Sequence, residues 1–304
     1  MWHFPVRARS ITAPRRLLRL AVELLPGTRP LVRPVFIVGC GRSGTTALGE
    51  LLGRHPLLAY LNEPRDIWLH EPRTDIWSAQ ARARGGRLRL TGSDVQPAAA
   101  ARIRRAFAAE VRLQRAERLV EKLPINAFRI DYVAVMFPDA RFVHLIRNGL
   151  EVAASIAEQV ELGRWFGHQD CKWCRLVEHA RECGEAGRLA HCAASFERGL
   201  LEWYLSVSAA LDSLGRLPAA RWLELRYEAM VAAPGEVCER LERFIGVRHE
   251  PALRQAAITG LGRRSAPSDP APLLPRALPI AGDLLAHLGY LGALDLTPAI
   301  GGRA

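Results

Sequence analysis

Short apolar runs bounded by glycine, proline or asparagine punctuate this chain, and longer stretches with apolar positions three and four apart separate them. The runs Val35–Val38, Leu57–Leu61, Leu119–Leu123, Arg141–Ile146 and Trp222–Leu225 read as strands. Thr45–Arg54, 98–118, Ile130–Met136, Gly149–Glu161, Phe196–Leu214 and Gly235–Phe244 read as helices, with Asp283–Leu288 as a last helical turn or two. Strands alternating with helices predict an α/β fold: three layers, with a mostly parallel central sheet flanked by helices. Residues 65–97 break the alternation with Gly85-Gly86 and several prolines, and so long a connection suits a binding lid.

Before the first strand, residues 1–30 form a basic lead-in closed by Pro26, Gly27 and Pro30. Its arginines alternate with Leu17, Leu18, Leu20, Ala21 and Val22, the spacing of an amphipathic helix. Such a helix packs on the domain or lays its apolar face on anionic lipid. Residues 31–304 are expected to form a single domain, with a Cys/His-rich insert at about 160–195. No stretch approaches the ~20 apolar residues of a membrane helix, and the lead-in lacks the apolar core and cleavage site of a signal peptide. The expectation is a cytoplasmic protein, with peripheral contact at the inner membrane face through residues 1–25.

Composition narrows the ligands. The 304 residues are 49% hydrophobic, enough for a full core, and carry a net charge of +11. A basic surface suits anionic ligands. It does not by itself imply nucleic acid, because no recognition helix, aromatic ladder or zinc-finger spacing accompanies it. Of the 42 basic residues only Lys122 and Lys172 are lysine, a bias that base composition also produces.

The densest chemical signal is Phe36-Ile37-Val38-Gly39-Cys40-Gly41-Arg42-Ser43-Gly44-Thr45-Thr46. It reads as a buried strand breaking into a glycine-rich loop that opens a helix. Inward N–H groups and the helix N-terminus cradle a phosphate or sulfate there. Gly39 and Gly44 have P-loop spacing, yet Thr45 stands where a nucleotidase places lysine. The loop therefore suits a donor with a single 5′-phosphate at this spot rather than ATP hydrolysis. A second constellation runs from Arg141 to Ser155. Its strand delivers Arg147 at the C-terminal end, where open α/β sheets bind ligands, and Ser155 follows two helical turns later. An arginine fork beside a serine hydroxyl holds a second phosphate.

In this order and spacing these residues resemble the PAPS-dependent sulfotransferases, of the bacterial kind related to the carbohydrate and tyrosine sulfotransferases. PAPS is 3′-phosphoadenosine-5′-phosphosulfate. The 36–46 run resembles the family's 5′-phosphosulfate loop and 141–155 its 3′-phosphate motif. Leu225-Arg226-Tyr227-Glu228 resembles a segment near the adenine, and Phe137–Phe142 and Leu288-Gly289-Tyr290 are also similar. The resemblance spans roughly 33–290 and implies a P-loop-like fold. It also implies in-line transfer of a sulfuryl group from PAPS to a hydroxyl, releasing 3′,5′-adenosine bisphosphate. By this resemblance Gly41, Arg42, Ser43, Gly44, Thr45, Thr46, Arg147, Ser155 and Tyr227 hold the donor, with Ser265 lining the site as a tail serine does in tyrosine sulfotransferases.

Sulfuryl transfer needs a base for the acceptor hydroxyl and cations on the moving group. Arg42 is the implied cation at the donor, against a reading as one more surface arginine. Glu63, in Asn62-Glu63-Pro64, resembles in position a family glutamate regarded as the base; His55, His70 and Glu121 are its rivals. His55 also reads as a helix C-terminal cap. Lys122, in Glu121-Lys122-Leu123-Pro124, matches a family lysine near the leaving oxygen. A compact ammonium differs from a guanidinium as a point donor.

Cys171, Cys174, Cys183 and Cys192, with His168, His179 and His191 among them, have spacing open to a structural zinc ion. The plainer reading is helix-face cysteines in a reducing compartment. Arginine-rich walls favour a saccharide or glycolipid acceptor, and Trp68, Trp77, Trp165 and Trp173 either stack on it or pack the insert. Two other functions remain at this stage: a P-loop small-molecule kinase, and a non-catalytic protein binding an anionic polymer or membrane.

Overall fold

A computed structural model describes residues 13–24, 30–261 and 271–291. Five strands, β1 (Val35–Val38), β2 (Leu58–Asn62), β3 (Arg118–Lys122), β4 (Arg141–Ile146) and β5 (Trp222–Arg226), form one parallel sheet in the order β2-β3-β1-β4-β5. The described helices are α1 (Ala13–Glu23), α2 (Thr45–Leu52), α3 (Arg65–Trp68), α4 (Pro97–Leu113), α5 (Ile130–Met136) and α6 (Gly149–Glu161). They continue with α7 (Cys171–Glu182), α8 (Ser195–Gly215), α9 (Tyr227–Ala232), α10 (Pro234–Ile245), α11 (Pro251–Leu261) and α12 (Leu274–His287).

The pleat sends alternate residues of β1 to opposite cores. Phe36 and Val38 join Phe107 of α4, Tyr132 of α5 and Leu200 of α8 on one face. Val35 and Ile37 join Leu48 of α2, Leu241 of α10 and Leu253 of α11 on the other. Both faces are covered, which is why the strand segments read as continuous apolar runs. The fold is the three-layer, P-loop-like α/β class expected from the sequence.

Three boundaries differ from the sequence reading. α4 stops at Leu113 rather than continuing to 118, because Arg115 turns the chain into the left-handed region (φ 53°) and Arg118 already pairs with Leu58 in the sheet. α12 begins nine residues before Asp283, at Leu274. Pro275 lies in its first turn, where the missing N–H has no intrahelical partner to lose. The described part of the lead-in, α1, packs on the domain against α4, but through Arg15 and Arg19.

Candidate functional site

The strand order sets the site. Parallel pairing aligns the C-terminal ends of all five strands along one edge, and each carries a residue singled out by sequence. From one end to the other they are Glu63 after β2, Lys122 closing β3, the 39–44 loop after β1, Arg147 after β4 and Tyr227 after β5.

At the loop, Gly44 caps α2 at φ 94°, and a Cβ there would lie 2.7 Å from the Tyr227 ring. Glycine is needed both for the turn and for that close approach. Ser43 and Thr45 are buried, while Arg42 is exposed and held at φ 70°. Its Nε donates to Ser155 Oγ at 3.0 Å. Arg147 donates to the Arg42 carbonyl at 3.3 Å and lies 4.5 Å over the Tyr227 ring. Its Nε donates to Glu151 at 2.9 Å, which fixes the fork's direction. Trp203 Nε1 donates to the Arg147 carbonyl at 3.0 Å and holds the same turn from α8. Arg42, Arg147, Ser155 and Tyr227 are thus brought together beside the loop, an arrangement suited to a phosphate and an aromatic base.

On the loop's other side lies a cleft of about 400 Å³, whose wall includes Gly41, Arg42, Thr45, Thr46, Glu63 and Lys122. Asn62 and Lys122 are register partners, and the Glu63 N–H donates to the Lys122 carbonyl at 2.7 Å. That pairing brings Lys122 Nζ to 2.9 Å from Glu63 Oε1, while Arg65 donates to Oε2 at 2.7 Å. Glu63 also sits in the left-handed region, at φ 48°. Two of the six described non-glycine residues at positive φ, Arg42 and Glu63, therefore face this cleft. Strain of that kind gathers at functional sites, and it has no signature in the sequence.

Burial pushes the Glu63 carboxyl up, but Lys122 and Arg65 outweigh it and hold the group below the usual glutamate range. Burial likewise pulls the Lys122 ammonium below the usual lysine range, opposed by Glu63. The rival bases lie elsewhere. His55 Nε2 meets the Arg248 carbonyl at 3.0 Å and its Nδ1 accepts from the Leu57 N–H, so it closes the turn after α2. His70 is half-buried near Glu23 and Arg19 of α1. Glu121 points to the opposite core from Lys122, where Trp68 Nε1 donates to it at 2.8 Å; burial pushes its carboxyl up to about 8.

The far wall of the cleft includes Trp165, a candidate from the sequence, together with an ion pair that the sequence reading did not single out. Lys172 on α7 donates to Glu202 Oε1 at 2.6 Å, and Trp165 Nε1 donates to Oε2 at 2.7 Å. The Lys172 ammonium lies 4.3 Å over the Trp165 ring. Trp165 in turn leans on the 39–44 loop, since a Cβ on Gly41 would come within 2.6 Å of it. Both lysines of the chain therefore line one cleft, each buried and bonded to a glutamate. Lysine scarcity pointed to Lys122, and the same signal would have found Lys172. Trp77 lines the cleft too, under the Arg65 guanidinium at 4.0 Å. Trp68 is core, and Trp173 packs on Phe166.

The zinc reading is corrected. Among the described residues no group of three or more His, Cys, Asp or Glu is placed to hold a metal ion. α7 puts Cys171 and Cys183 twelve residues apart, roughly 18 Å at 1.5 Å per residue. The Cys171 thiol is turned to the Ile76 carbonyl and the Cys192 thiol to that of Arg188. Cys174 is exposed, and Cys40 is a packing residue whose thiol burial pushes well up. Ser265 lies outside the described residues. No described helix is long and apolar enough to cross a membrane.

Comparison with known proteins agrees with this geometry. Across 84% of its length the chain is 26% identical to protein-tyrosine sulfotransferase 2 of Gallus gallus, spanning 69% of that protein. It is 25% identical to the omega-hydroxy-beta-dihydromenaquinone-9 sulfotransferase of Mycobacterium bovis, with 84% of this chain and 75% of that protein covered. It spans less than half of protein-tyrosine sulfotransferase 1 from Homo sapiens, 40%. Among solved structures, sulfotransferase STF9 from Mycobacterium avium shares the fold with a TM-score of 0.55 at 15% identity, over 90% of this chain and 82% of that one. The profile of the Sulfotransferase family matches residues 34–251. That match runs from β1 to the start of α11 and takes in every strand end described above, so the chain belongs to the sulfotransferase family.

Proposed function

We propose that this protein moves the sulfuryl group of PAPS in line to an acceptor hydroxyl and releases 3′,5′-adenosine bisphosphate. The observation that carries it is the arrangement along the strand ends, with an anion loop between an Arg/Ser pocket and a Glu/Lys cleft. The loop takes the 5′-phosphosulfate on its N–H groups, and Arg147 with Ser155 takes the 3′-phosphate. Tyr227 offers its ring to the adenine. Thr45 in place of a P-loop lysine disfavours the kinase reading.

Transfer then depends on positioning and charge. Glu63, ionised by its two cationic neighbours, accepts the proton of the attacking hydroxyl. Lys122 donates to the oxygen that bridges phosphorus and sulfur, where charge develops as the S–O bond breaks. Arg42, in reach of both subsites, follows the sulfuryl oxygens.

The acceptor we favour is a saccharide or glycolipid. Trp77 and Trp165 give flat apolar faces, while Arg65, Lys172 and Glu202 give donors and acceptors for hydroxyls. The relatives are named for protein tyrosine and for an omega-hydroxy menaquinone derivative, and phenols and lipid alcohols belong in the same screen. Calorimetry with 3′,5′-adenosine bisphosphate and ATP tests the donor: tight binding of ATP without the bisphosphate would end the reading. Labelled PAPS offered to saccharide, phenol and lipid-alcohol pools tests the acceptor.

A further inference from the structure

The helix α1 presents its apolar face to solvent. Leu17, Leu18, Leu20 and Leu24 are 69%, 56%, 42% and 86% exposed, while Arg19 between them is 1% exposed. The cause is a buried carboxylate 91 residues away along the chain from Arg19: Glu110 on α4 is fully buried and needs cations. Arg15 meets it at 2.7 Å and Arg19 at 3.8 Å, and Arg19 also reaches Asp66 at 2.7 Å. Leaving Glu110 unpaired in the core would be far costlier than leaving leucines wet. Arg15 and Arg19 are therefore locked inward, and Arg16, Leu17, Leu20, Ala21 and Leu24 share the outward face.

We infer that α1 docks the protein on an anionic lipid surface, with Leu17, Leu20 and Leu24 entering the interface. Charge selects this occupant. Arg16 lies on the outward face, and α4, against which α1 packs, exposes Arg102, Arg105 and Arg112. The twelve residues before α1 include Trp2, Phe4, Arg7 and Arg9 and no acidic residue. Apolar side chains beside arginine clusters are what anionic headgroups attract. A second copy of the chain, at +11, would instead set like charges face to face. Arg19 holds Asp66, the residue after Arg65, so the docked helix is tied to the wall that carries Glu63.

The test is co-sedimentation of the full chain with phosphatidylcholine vesicles, with and without phosphatidylglycerol. The protein is expected to pellet with the anionic vesicles and not with the neutral ones. The triple variant L17S/L20S/L24S should lose about tenfold or more of that partitioning while binding 3′,5′-adenosine bisphosphate as before. Equal pelleting of the triple variant, or no pelleting of the unaltered chain, would overturn the inference. So would light scattering that shows a dimer broken by the triple variant, which would make the face a contact between copies. Loss of bisphosphate binding by the unaltered chain would count against the proposed function and leave the docking result to stand by itself.

Discussion

Lys122 and Glu63 meet at 2.9 Å because Lys122 is the register partner of Asn62 in adjacent parallel strands. The pair is asymmetric. The Lys122 side chain is 1% exposed and that of Glu63 is 32% exposed. Glu63 is therefore the member open to the cleft, where the proposed function puts the acceptor hydroxyl, and Lys122 fixes the direction of its carboxylate from below. Glu63→Gln keeps the shape and removes the base. It should lower transfer of label from PAPS by about 10²–10⁴-fold with little change in calorimetric affinity for 3′,5′-adenosine bisphosphate. Lys122→Met should also lower transfer. Lys122→Arg should not restore it, because a guanidinium is too broad for the buried slot and does not act as a point donor. Undiminished transfer by Glu63→Gln would remove Glu63 as the base.

The same pair fixes a pH profile. As the proposed base Glu63 acts as a carboxylate, and its cationic neighbours outweigh burial and hold it below the ordinary 4.5. The acid limb of kcat/KM should then fall below that value. In the proposed role Lys122 acts as an ammonium, and burial brings its loss of a proton below the ordinary 10.5, so the alkaline limb should start earlier than for a free lysine. Glu63 is what opposes that drop. In the residual activity of Glu63→Gln the alkaline limb should move to still lower pH. A limb that stays in place would mean that another group sets it.

Glu121, next to Lys122 in sequence, titrates in the opposite sense. Burial raises its folded-state value to about 8 against an ordinary 4.5. Between these values the folded chain keeps a proton that the unfolded chain has released, so the contribution to stability falls as pH rises. Glu121→Gln carries no such proton, and its side chain fits the site: the carbonyl accepts from Trp68, and Asn126, whose Oδ1 lacks a partner, can turn to accept from the new amide. Its Tm should gain on that of the unaltered protein between about pH 5 and 8 and hold the gain above that. Parallel Tm curves would show Glu121 ionised throughout.

The nucleotide side is separable from the cleft. The proposed function gives the 3′-phosphate and adenine to Arg147, Ser155 and Tyr227, and the 5′ group to the loop. Arg147→Met should cost about ten- to a hundredfold in affinity for 3′,5′-adenosine bisphosphate, by loss of a charge-assisted fork. Affinity for 5′-AMP, which lacks the 3′-phosphate, should change little. Equal losses for both ligands would place the fork on the 5′ side instead.

The sequence made the loop, the strand ends and the sheet legible because those segments are local: each strand is a short apolar run and each motif sits directly after one. The far wall of the cleft was legible only in part. Trp165 was a candidate for stacking on the acceptor, but Lys172 and Glu202 come from α7 and α8 and meet it only through packing, and only the scarcity of lysine hinted at Lys172. The direction of α1 was hidden for the same reason. Apolar spacing turns leucines inward, and the carboxylate that reverses it, Glu110, lies on another helix. In both cases a buried charge overrides the hydrophobic pattern, and its partner cannot be read from the neighbouring sequence.

Lys172 tests whether the far wall binds the acceptor or merely holds the fold. Its pair with Glu202 is nearly dry, with side chains 7% and 4% exposed. Lys172→Met alone leaves a buried carboxylate without its cation and should cost about 3–5 kcal/mol of stability. Lys172→Met with Glu202→Leu removes both charges, and stability should return to within about 1 kcal/mol of the unaltered protein or exceed it. If the pair only supports the wall, transfer should return along with stability. If it holds the acceptor's hydroxyls, the double variant should be stable, bind 3′,5′-adenosine bisphosphate normally and show a raised KM for the acceptor with kcat little changed. We expect the second pattern. A polar pair costs stability at this depth, and the cleft it lines is the one that holds Glu63.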